Sequence, residues 1–288
     1  MVLYPLKTSI DSAISRFGPG TAAAHSGQTD RKVVSAWEAV EKKQKQKADA
    51  WWLVAQPDHA ALAGDLAASI SCSYFPRLEP DVLEAITLHD AGWAQFDRPH
   101  KPVASLTSGE NSPTAKASDS GRPPSFLDMS PTDFIRAWND SIERAQQSSP
   151  TGGLLVSQHF SRLAENRLAM RADSPADIDK LKTFLAGEAA RQCRLGARAG
   201  RHAEQVHVLV DVLQFCDLLS LYLCCGARED AVLPQRFQGQ SILLRRDGEM
   251  CRTEPAIFGK GVSLGVSARR HPALREEANV VSLGFLLE

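Results

Sequence analysis

Apolar residues recur with a helical period over most of the chain between residues 58 and 225. In the segment 132–147, for example, Phe134 and Trp138 fall one turn apart on the same face of a helix. Asp58 and Asp81 stand at the beginning of two such segments, where a carboxylate can cap a helix. The pattern predicts helices over residues 58–70, 81–90, 132–147, 154–169, 177–195 and 204–225.

Beyond Pro234 the pattern changes to an alternation of apolar and small polar residues, which is typical of β-strands. Upstream, the apolar run 51–55 fits either a buried strand or the beginning of a helix. The predicted fold class is therefore mainly α-helical, with a small antiparallel β-sheet at the C-terminal end. The strands predicted for this sheet are residues 241–244, 262–266 and 280–286.

Two segments lack any sustained period. Residues 1–30 are rich in Ser, Thr, Ala and Gly, and we expect them to form a loosely ordered N-terminal arm. Residues 97–131 contain six prolines, which exclude a long helix, and loops of this length are often lids or insertions. We expect residues 31–288 to form a single helical domain, with 97–131 as a flap and 235–288 as a β region.

Charge and composition narrow the class of partner. The chain has 33 basic and 34 acidic residues, so its net charge of −1 gives no electrostatic reason to expect nucleic acid or an anionic membrane as a partner. The apolar fraction of 43% and the charged fraction of 23% are ordinary for a globular enzyme or binding protein.

The sequence favours a cytoplasmic location. The first twenty residues lack the continuous apolar stretch of a signal peptide. The most apolar run, residues 206–225, is interrupted by Asp211, Gln214 and Asp217, so we interpret it as a core helix rather than a membrane span. None of the six cysteines forms a C-x-x-C pair, which favours reduced thiols over disulfides.

Side chains of the kind that bind metals occur at four places within apolar helical sequence. Imidazole and carboxylate are ligands for divalent ions such as Fe, Mn, Zn or Ni. An unpaired carboxylate in the apolar run 213–225 would be costly to bury, so Asp217 needs a cation, hydrogen-bond donors or a salt bridge to an arginine. His89 and Asp90, which are adjacent in sequence, can both reach one ion. Alternatively, they can form a pair at the end of a helix that interacts with its macrodipole. These candidate ligands are His59, His89, Asp90, His159 and Asp217.

The order of these residues resembles the HD superfamily of metal-dependent phosphohydrolases, in which a histidine precedes a His-Asp pair and a late aspartate. More narrowly, the sequence resembles an uncharacterised bacterial family, the domain of unknown function numbered 3891, from about residue 50 to the end of the chain. That family has no activity to transfer. The motifs that carry this resemblance are Gln56-x-Asp58-His59, His89-Asp90-Ala91-Gly92-Trp93, Ser157-x-His159 and Asp217-Leu218-Leu219-Ser220.

The superfamily resemblance implies one or two divalent ions and a small phosphorylated or otherwise anionic substrate. It implies four metal ligands, namely His59, His89, Asp90 and Asp217. His159 would then bind a second ion or contact the substrate. In such hydrolases the ion lowers the pKa of a bound water from 15.7 toward about 7 and polarises the phosphoryl oxygen.

The same resemblance calls for basic groups near the charge that develops in the reaction. The nearest candidates in sequence follow the His-Asp pair or His159. Asp58, beside His59, either orients that imidazole as a hydrogen-bond acceptor or caps its helix. The basic candidates are Arg98, His100, Lys101 and Arg162.

Three functions remain open at this level. The leading hypothesis is a metal-dependent hydrolase with the ligands above. A second is an HD-type enzyme that oxidises its substrate with two irons, for which His159 is the one convincing additional ligand. The third is a module that binds a metal, a ligand or a partner without catalysis, since fold does not dictate function.

Overall fold

Seven helices and eight strands make up the part of the chain that the computed structural model describes, residues 1–6, 33–97, 121–274 and 279–288. Short 3-10 helices lie at Ala91–Gln95 and Phe126–Asp128. The α-helices are α1 Ala36–Lys45, α2 Gln56–Ala68, α3 Pro80–Leu88, α4 Pro131–Ser148, α5 Pro150–Met170, α6 Pro175–Ala199 and α7 Ala203–Cys224. The strands are β1 Val2–Leu6, β2 Val34–Ser35, β3 Ala50–Val54, β4 Ala231–Phe237, β5 Gln240–Asp247, β6 Met250–Glu254, β7 Val262–His271 and β8 Val280–Leu287.

The strands form a single curled sheet, close to half a barrel, in the order β1-β3-β7-β8-β6-β5-β4-β2. The pairs β2–β4 and β6–β8 are parallel, and the other neighbours are antiparallel. About 54% of the described residues are helical and 22% are in strands. The prediction of a mainly α-helical fold with a small C-terminal antiparallel sheet is therefore wrong.

The sheet is large because N-terminal strands join the C-terminal ones. Leu53 in β3 pairs with Arg269 in β7, and Val34 in β2 pairs with Ala231 in β4. Hydrophobic periodicity reports only neighbours along the chain, so it gives no sign of pairs that are so distant in sequence.

The strand β1 lies in the segment expected to be a loosely ordered arm. Val2 and Leu3 are fully buried, and the side-chain amide of Gln44 in α1 both donates to the carbonyl oxygen of Leu3 and accepts from its N–H group. This amide therefore occupies the backbone groups that β1 would otherwise leave unpaired at the edge of the sheet.

Helix α5 is the centre of the helical part, where it packs against α3, α4, α6 and α7. Two other helices join this bundle to the sheet, since α2 packs against β7 and α7 packs against β1 and β4. The metal-ligand candidates lie on α2, α5 and α7 and at the end of α3, so the bundle brings them together.

Helix α7 confirms the interpretation of residues 206–225 as a core helix. Among the described residues, α7 alone is long and apolar enough to cross a membrane, but 72% of its most apolar window is buried inside the protein. Such burial is typical of the core helix of a soluble protein. The cytoplasmic location stays a prediction.

Most of the predicted flap, residues 98–120, lies outside the described residues, as do residues 7–30 of the arm. Toward the end of the flap segment, Arg122 pairs with Asp128 at 2.7 Å, and Ser125 caps the 3-10 helix Phe126–Asp128. The first described strand of the C-terminal region begins at Ala231. The division into a single domain with a flap and a β region stays a prediction.

Candidate metal centre

His59 is fully buried in the first half of α2, and its two ring nitrogens contact different groups. Its Nδ1 lies 2.9 Å from the Oγ of Ser220, and that hydroxyl donates its one proton to the carbonyl oxygen of Asp217 at 2.8 Å. When this hydroxyl donates to Asp217, it accepts from His59, and Nδ1 of His59 then carries a proton. If the imidazole is neutral, its Nε2 atom then carries a lone pair instead of a proton. This Nε2 atom lies 2.9 Å from Oδ2 of Asp90.

His89 follows the last turn of α3 and is fixed in the same tautomer. Its Nδ1 lies 2.7 Å from the carbonyl oxygen of Ile86, which can only accept a hydrogen bond, so Nδ1 donates. The buried Nε2 atom has no hydrogen-bond partner among the described residues. It lies 3.4 Å from Oδ1 of Asp217 and 4.0 Å from Oδ2 of Asp90.

The two carboxylates complete a cluster of acceptors. Asp90 precedes the 3-10 helix Ala91–Gln95, and Asp217 lies in the middle of α7, with side chains 10% and 14% exposed. Two imidazole lone pairs and two carboxylate groups thus converge in a space that is nearly closed to water. Facing acceptors repel one another unless a proton or a metal ion lies among them.

The separations fit a metal ion. Bonds of 2.0–2.2 Å to nitrogen and oxygen place neighbouring ligand atoms about 3 Å apart and opposite ones about 4 Å apart. Three nitrogen–oxygen separations lie in this range: 2.9 Å from His59 to Asp90, and 3.4 and 4.0 Å from His89 to Asp217 and Asp90. His59, His89 and Asp217 form a group that could hold a metal, because one ligand atom from each lies within 4.8 Å of the others. Asp90 lies against both imidazoles of this group as a fourth candidate.

The protonation of the cluster without a metal follows from its charges. Burial lowers the pKa of His89, but the neighbouring carboxylates of Asp90 and Asp217 have the larger, opposite effect, and the pKa is raised to about 9. Burial raises the pKa of Asp217, but His89 and the neighbouring imidazoles lower it to about 2. A proton on His89 therefore occupies the cluster at neutral pH when no metal does.

His159, in α5, lies beside both Asp217 and His89. Its Nε2 is 3.8 Å from Oδ2 of Asp217, whereas His89 approaches Oδ1, and its ring meets that of His89 edge to face at 5.5 Å. Burial lowers the pKa of His159 to about 4, so the imidazole is neutral. Its Nδ1 atom is buried without a hydrogen-bond partner in the described part of the chain.

Gly92 explains the small residue in the His89-Asp90-x-Gly-Trp motif. A Cβ at this position would collide with the carbonyl oxygen of Ala137 and lie 2.6 Å from the backbone nitrogen of Ser141, both in α4. Gly92 also donates its N–H to the Ser141 hydroxyl at 2.9 Å. The glycine therefore allows the turn that begins at Asp90 to lie directly on α4.

Two of the other predicted site residues, Arg162 and Asp58, lie in the described part of the chain. The guanidinium of Arg162 is held on α7 by Asp211 and by Gln214, at 3.0 Å, so its charge is neutralised there. Asp58 is exposed in the first turn of α2, and the cap position belongs to Ala55. Both nitrogens of His59 contact other groups, so Asp58 does not orient that imidazole. Arg98, His100 and Lys101 lie outside the described residues.

The sequence analysis gave no role to three residues that lie in or beside the centre. Ser220 stands three residues after Asp217, a spacing that places both on one face of α7 and could have revealed it. Asp97 accepts from the backbone N–H of Gln56 and so caps α2, a contact between segments 41 residues apart that no local pattern reveals. The Oε1 atom of Gln56 is buried and has no partner among the described groups.

Comparison with known families supports the narrower of the two resemblances. The family model described as "Protein of unknown function (DUF3891)" matches residues 44–271, which include all five candidate ligands. The comparisons with curated proteins and with solved structures found no match. The match covers well over half of the chain, and the protein therefore belongs to the DUF3891 family.

Proposed function

We propose that this protein is a metal-dependent hydrolase with an HD-type centre, acting on a small phosphorylated or otherwise anionic molecule. The observation that carries the proposal is the set of converging acceptors. The carbonyl oxygen of Ile86 accepts a proton from Nδ1 of His89, and the Ser220 hydroxyl can accept one from Nδ1 of His59. The Nε2 atom of His59 then faces Asp90, and that of His89 faces Asp217.

The ligands proposed for the ion are His59, His89, Asp90 and Asp217, with Fe, Mn, Zn or Ni as the candidate metals. Their order along the chain, a histidine, a His-Asp pair and a late aspartate, is that of the HD superfamily. A divalent ion bound at such a site activates a water for attack and polarises a phosphoryl oxygen.

The residues around the ligands hold them in place for this chemistry. Ser220 and the carbonyl oxygen of Ile86 orient the two imidazoles, as outer hydrogen bonds commonly do in metal sites. Within the described part of the chain both imidazoles are fully buried and the two carboxylates are slightly exposed, so we expect water to reach the centre past the carboxylates. The opening at Asp90 and Asp217 is therefore where we expect the substrate to approach.

An anionic substrate is supported by the chain that follows Asp97. This carboxylate binds the N-terminus of α2, one turn from His59. Three basic residues come within the next four positions of the sequence, Arg98, His100 and Lys101. Arg162 contributes less to the proposal, because Asp211 already neutralises its charge.

Metal content and phosphatase activity test this proposal. We expect wild-type protein purified without chelator to contain one or two transition-metal ions per chain by mass spectrometry, and to hydrolyse p-nitrophenyl phosphate when Mn or Fe is supplied. The double variant His89→Ala, Asp90→Ala should lose both. His202→Ala is the matched control, since His202 is an exposed histidine at the N-terminus of α7.

Absence of metal from the wild type, with no activity after metal is added, would contradict the proposal. Metal that binds without turnover of any phosphate ester would instead support the module without catalysis. Loss of metal from His202→Ala as well would show that the measurement follows general damage to the fold.

A second candidate is the di-iron enzyme that oxidises its substrate, and the position of His159 favours it. Asp217 directs Oδ1 toward His89 and Oδ2 toward His159, so one carboxylate lies between two imidazoles. We expect His159→Ala to lower the iron content from two ions to one if this candidate is correct. If wild type and His159→Ala both contain one iron ion, and the wild type consumes no oxygen, the di-iron candidate is excluded.

A further inference from the structure

A groove with a volume of about 720 Å³ runs between α4 and α6. Such a volume is typical of sites for small molecules. Both helices pack mainly on α5, and they separate above it. At one end, the Nζ atom of Lys180 in α6 bonds the hydroxyl of Thr132 in α4 at 3.0 Å, which bridges the two walls.

The floor of the groove combines an apolar surface with a buried acid. Phe184 is 6% exposed and Ile135 is half-buried, so both offer apolar contacts. Beside them, Glu188 is 2% exposed and accepts a hydrogen bond of 2.6 Å from Ser157 in α5. Burial raises the pKa of this carboxyl.

Basic residues outnumber acidic ones along the groove. Lys180, Arg191 and Arg194 line it, against Asp179 and Glu188. The Nη1 atom of Arg191 is buried without a hydrogen-bond partner among the described residues, and it lies 3.5 Å from Glu188. Its Nη2 atom donates to Asn139 at 3.3 Å, so an incoming carboxylate or phosphate would share this guanidinium with Glu188 and Asn139.

Gly187 leaves the middle of the groove open. It lies inside the 25-residue helix α6, where glycine is unfavourable compared with alanine. A Cβ at this position would meet no atom within 4 Å, so no contact within the described chain requires glycine there. The open space lies on the groove, directly beside Glu188.

We infer that this groove is a second binding site, for a small molecule that joins a carboxylate or phosphate group to an apolar body. The anionic group would bind Arg191 and Arg194, and the apolar body would lie over Gly187 against Phe184 and Ile135. The site is separate from the metal centre. On helix α5, Ser157 bonds Glu188 of the groove, whereas His159, two residues further along, contacts Asp217 of the centre. The inference does not depend on the proposed hydrolase function.

Calorimetric titration of the full chain with three probes tests the inference. The probes are benzoate, phenyl phosphate and the neutral benzyl alcohol. We expect at least one anion to bind wild-type protein, and to bind at least tenfold more tightly than the alcohol. Benzoate alone would identify the group as a carboxylate, phenyl phosphate alone as a phosphate.

Four variants locate the binding. Gly187→Leu places a side chain in the groove, and Arg191→Gln removes the guanidinium, so each should weaken binding at least tenfold. Gly196→Leu is the matched control, because Gly196 also lies inside α6 with open space around it but does not line the groove. Asp217→Asn, which alters the metal centre, should bind the probe as the wild type does.

Three outcomes would overturn the inference. The first is that neither anion binds wild-type protein. The second is that Gly187→Leu binds the anion as tightly as the wild type, and the third is that Asp217→Asn no longer binds it. Thermal melting of each variant distinguishes loss of the site from loss of the fold, and Gly187→Leu should melt no lower than Gly196→Leu.

Discussion

At the scale of single residues, the centre depends on which ring nitrogen of each histidine carries a proton. Ligand-type side chains stand out in apolar helical segments of the sequence, and three of the predicted ligands, His59, His89 and Asp217, lie together in a group that could hold a metal. The sequence cannot show the tautomers, which depend on Ser220 and on the carbonyl oxygen of Ile86. A backbone acceptor leaves no trace in side-chain chemistry, so this part of the site could not be predicted.

Ser220→Ala should weaken metal binding by about 10- to 100-fold, the usual effect of removing an outer hydrogen bond from a metal ligand. His59 would lose the acceptor that holds its proton on Nδ1. Competition with a chromogenic chelator measures the affinity. Ser267→Ala, on an exposed position of β7, should leave it unchanged; equal affinities for the two variants would show that Ser220 does not orient the ligand.

Metal affinity should rise about tenfold per pH unit from pH 7 to pH 9 and then level off. Below its pKa of about 9, His89 holds a proton in the metal-free protein, and binding must displace it. Titrations in buffers with different ionisation enthalpies should show about one proton released per ion at pH 7. An affinity independent of pH in this range would mean that His89 is not a ligand.

The stability of the metal-free protein should have a maximum near pH 6.5. The raised pKa of His89 gives a stabilisation that is present below pH 6.5 and is lost as the pH rises through about 9. The lowered pKa of His159 removes stability as the pH falls from 6.5 to about 4. Urea unfolding of chelator-treated protein at several pH values measures this profile. His89→Gln should abolish the alkaline decline, and a decline that persists in this variant would assign it to other groups.

At the scale of elements, periodicity predicts six of the seven helices with ends close to those observed. Helix α5 shows the limit of the method, since the helix predicted to begin at residue 154 begins at Pro150 and runs through Gly152 and Gly153. A Cβ at Gly152 would lie 2.8 Å from the carbonyl oxygen of Ala145 in α4. The glycines therefore permit a close corner between two helices, a tertiary reason that overrides helix propensity.

Gly92→Ala should destabilise the protein by about 1–3 kcal/mol and weaken metal binding, because overpacking would push the turn that starts at Asp90 away from α4. Urea unfolding and chelator competition measure the two effects. The control is Gly196→Ala in α6, where the added methyl group meets nothing and should stabilise the helix by about 0.5–1 kcal/mol. A stable Gly92→Ala variant with unchanged metal affinity would contradict the role given to the glycine.

At the scale of the whole molecule, the sheet is what the sequence could not predict. Strands β1, β2 and β3 are short or adjoin helices. Two of them, β2 and β3, pair with strands from the other end of the chain, and β1 pairs only with β3. The helical core was predictable because each helix carries its own apolar face. The candidate centre was predictable only in part. Its ligands were visible in the sequence, but their convergence depends on how four elements pack against one another.

Removing a bound metal should therefore loosen the entire bundle. The ligands connect α2, α7 and the end of α3, and an ion at a concentration of 1,000 times its Kd adds about 4 kcal/mol to the free energy of unfolding. For a chain of this size we expect chelation to lower the Tm by about 8 °C. Asp217→Asn should show no such shift, and a shift of equal size in that variant would place the ion elsewhere.

The bonds between the side-chain amide of Gln44, in α1, and the edge strand β1 have a consequence for self-association. Open sheet edges are templates for strands of other molecules, and they promote domain swapping and fibril growth. Because the N–H and C=O groups of Leu3 already bond Gln44, an incoming strand finds no free backbone pair at that residue. Substitution of one helical glutamine would expose this edge, and the protein would then become prone to polymerise through a strand that contains none of its candidate metal ligands.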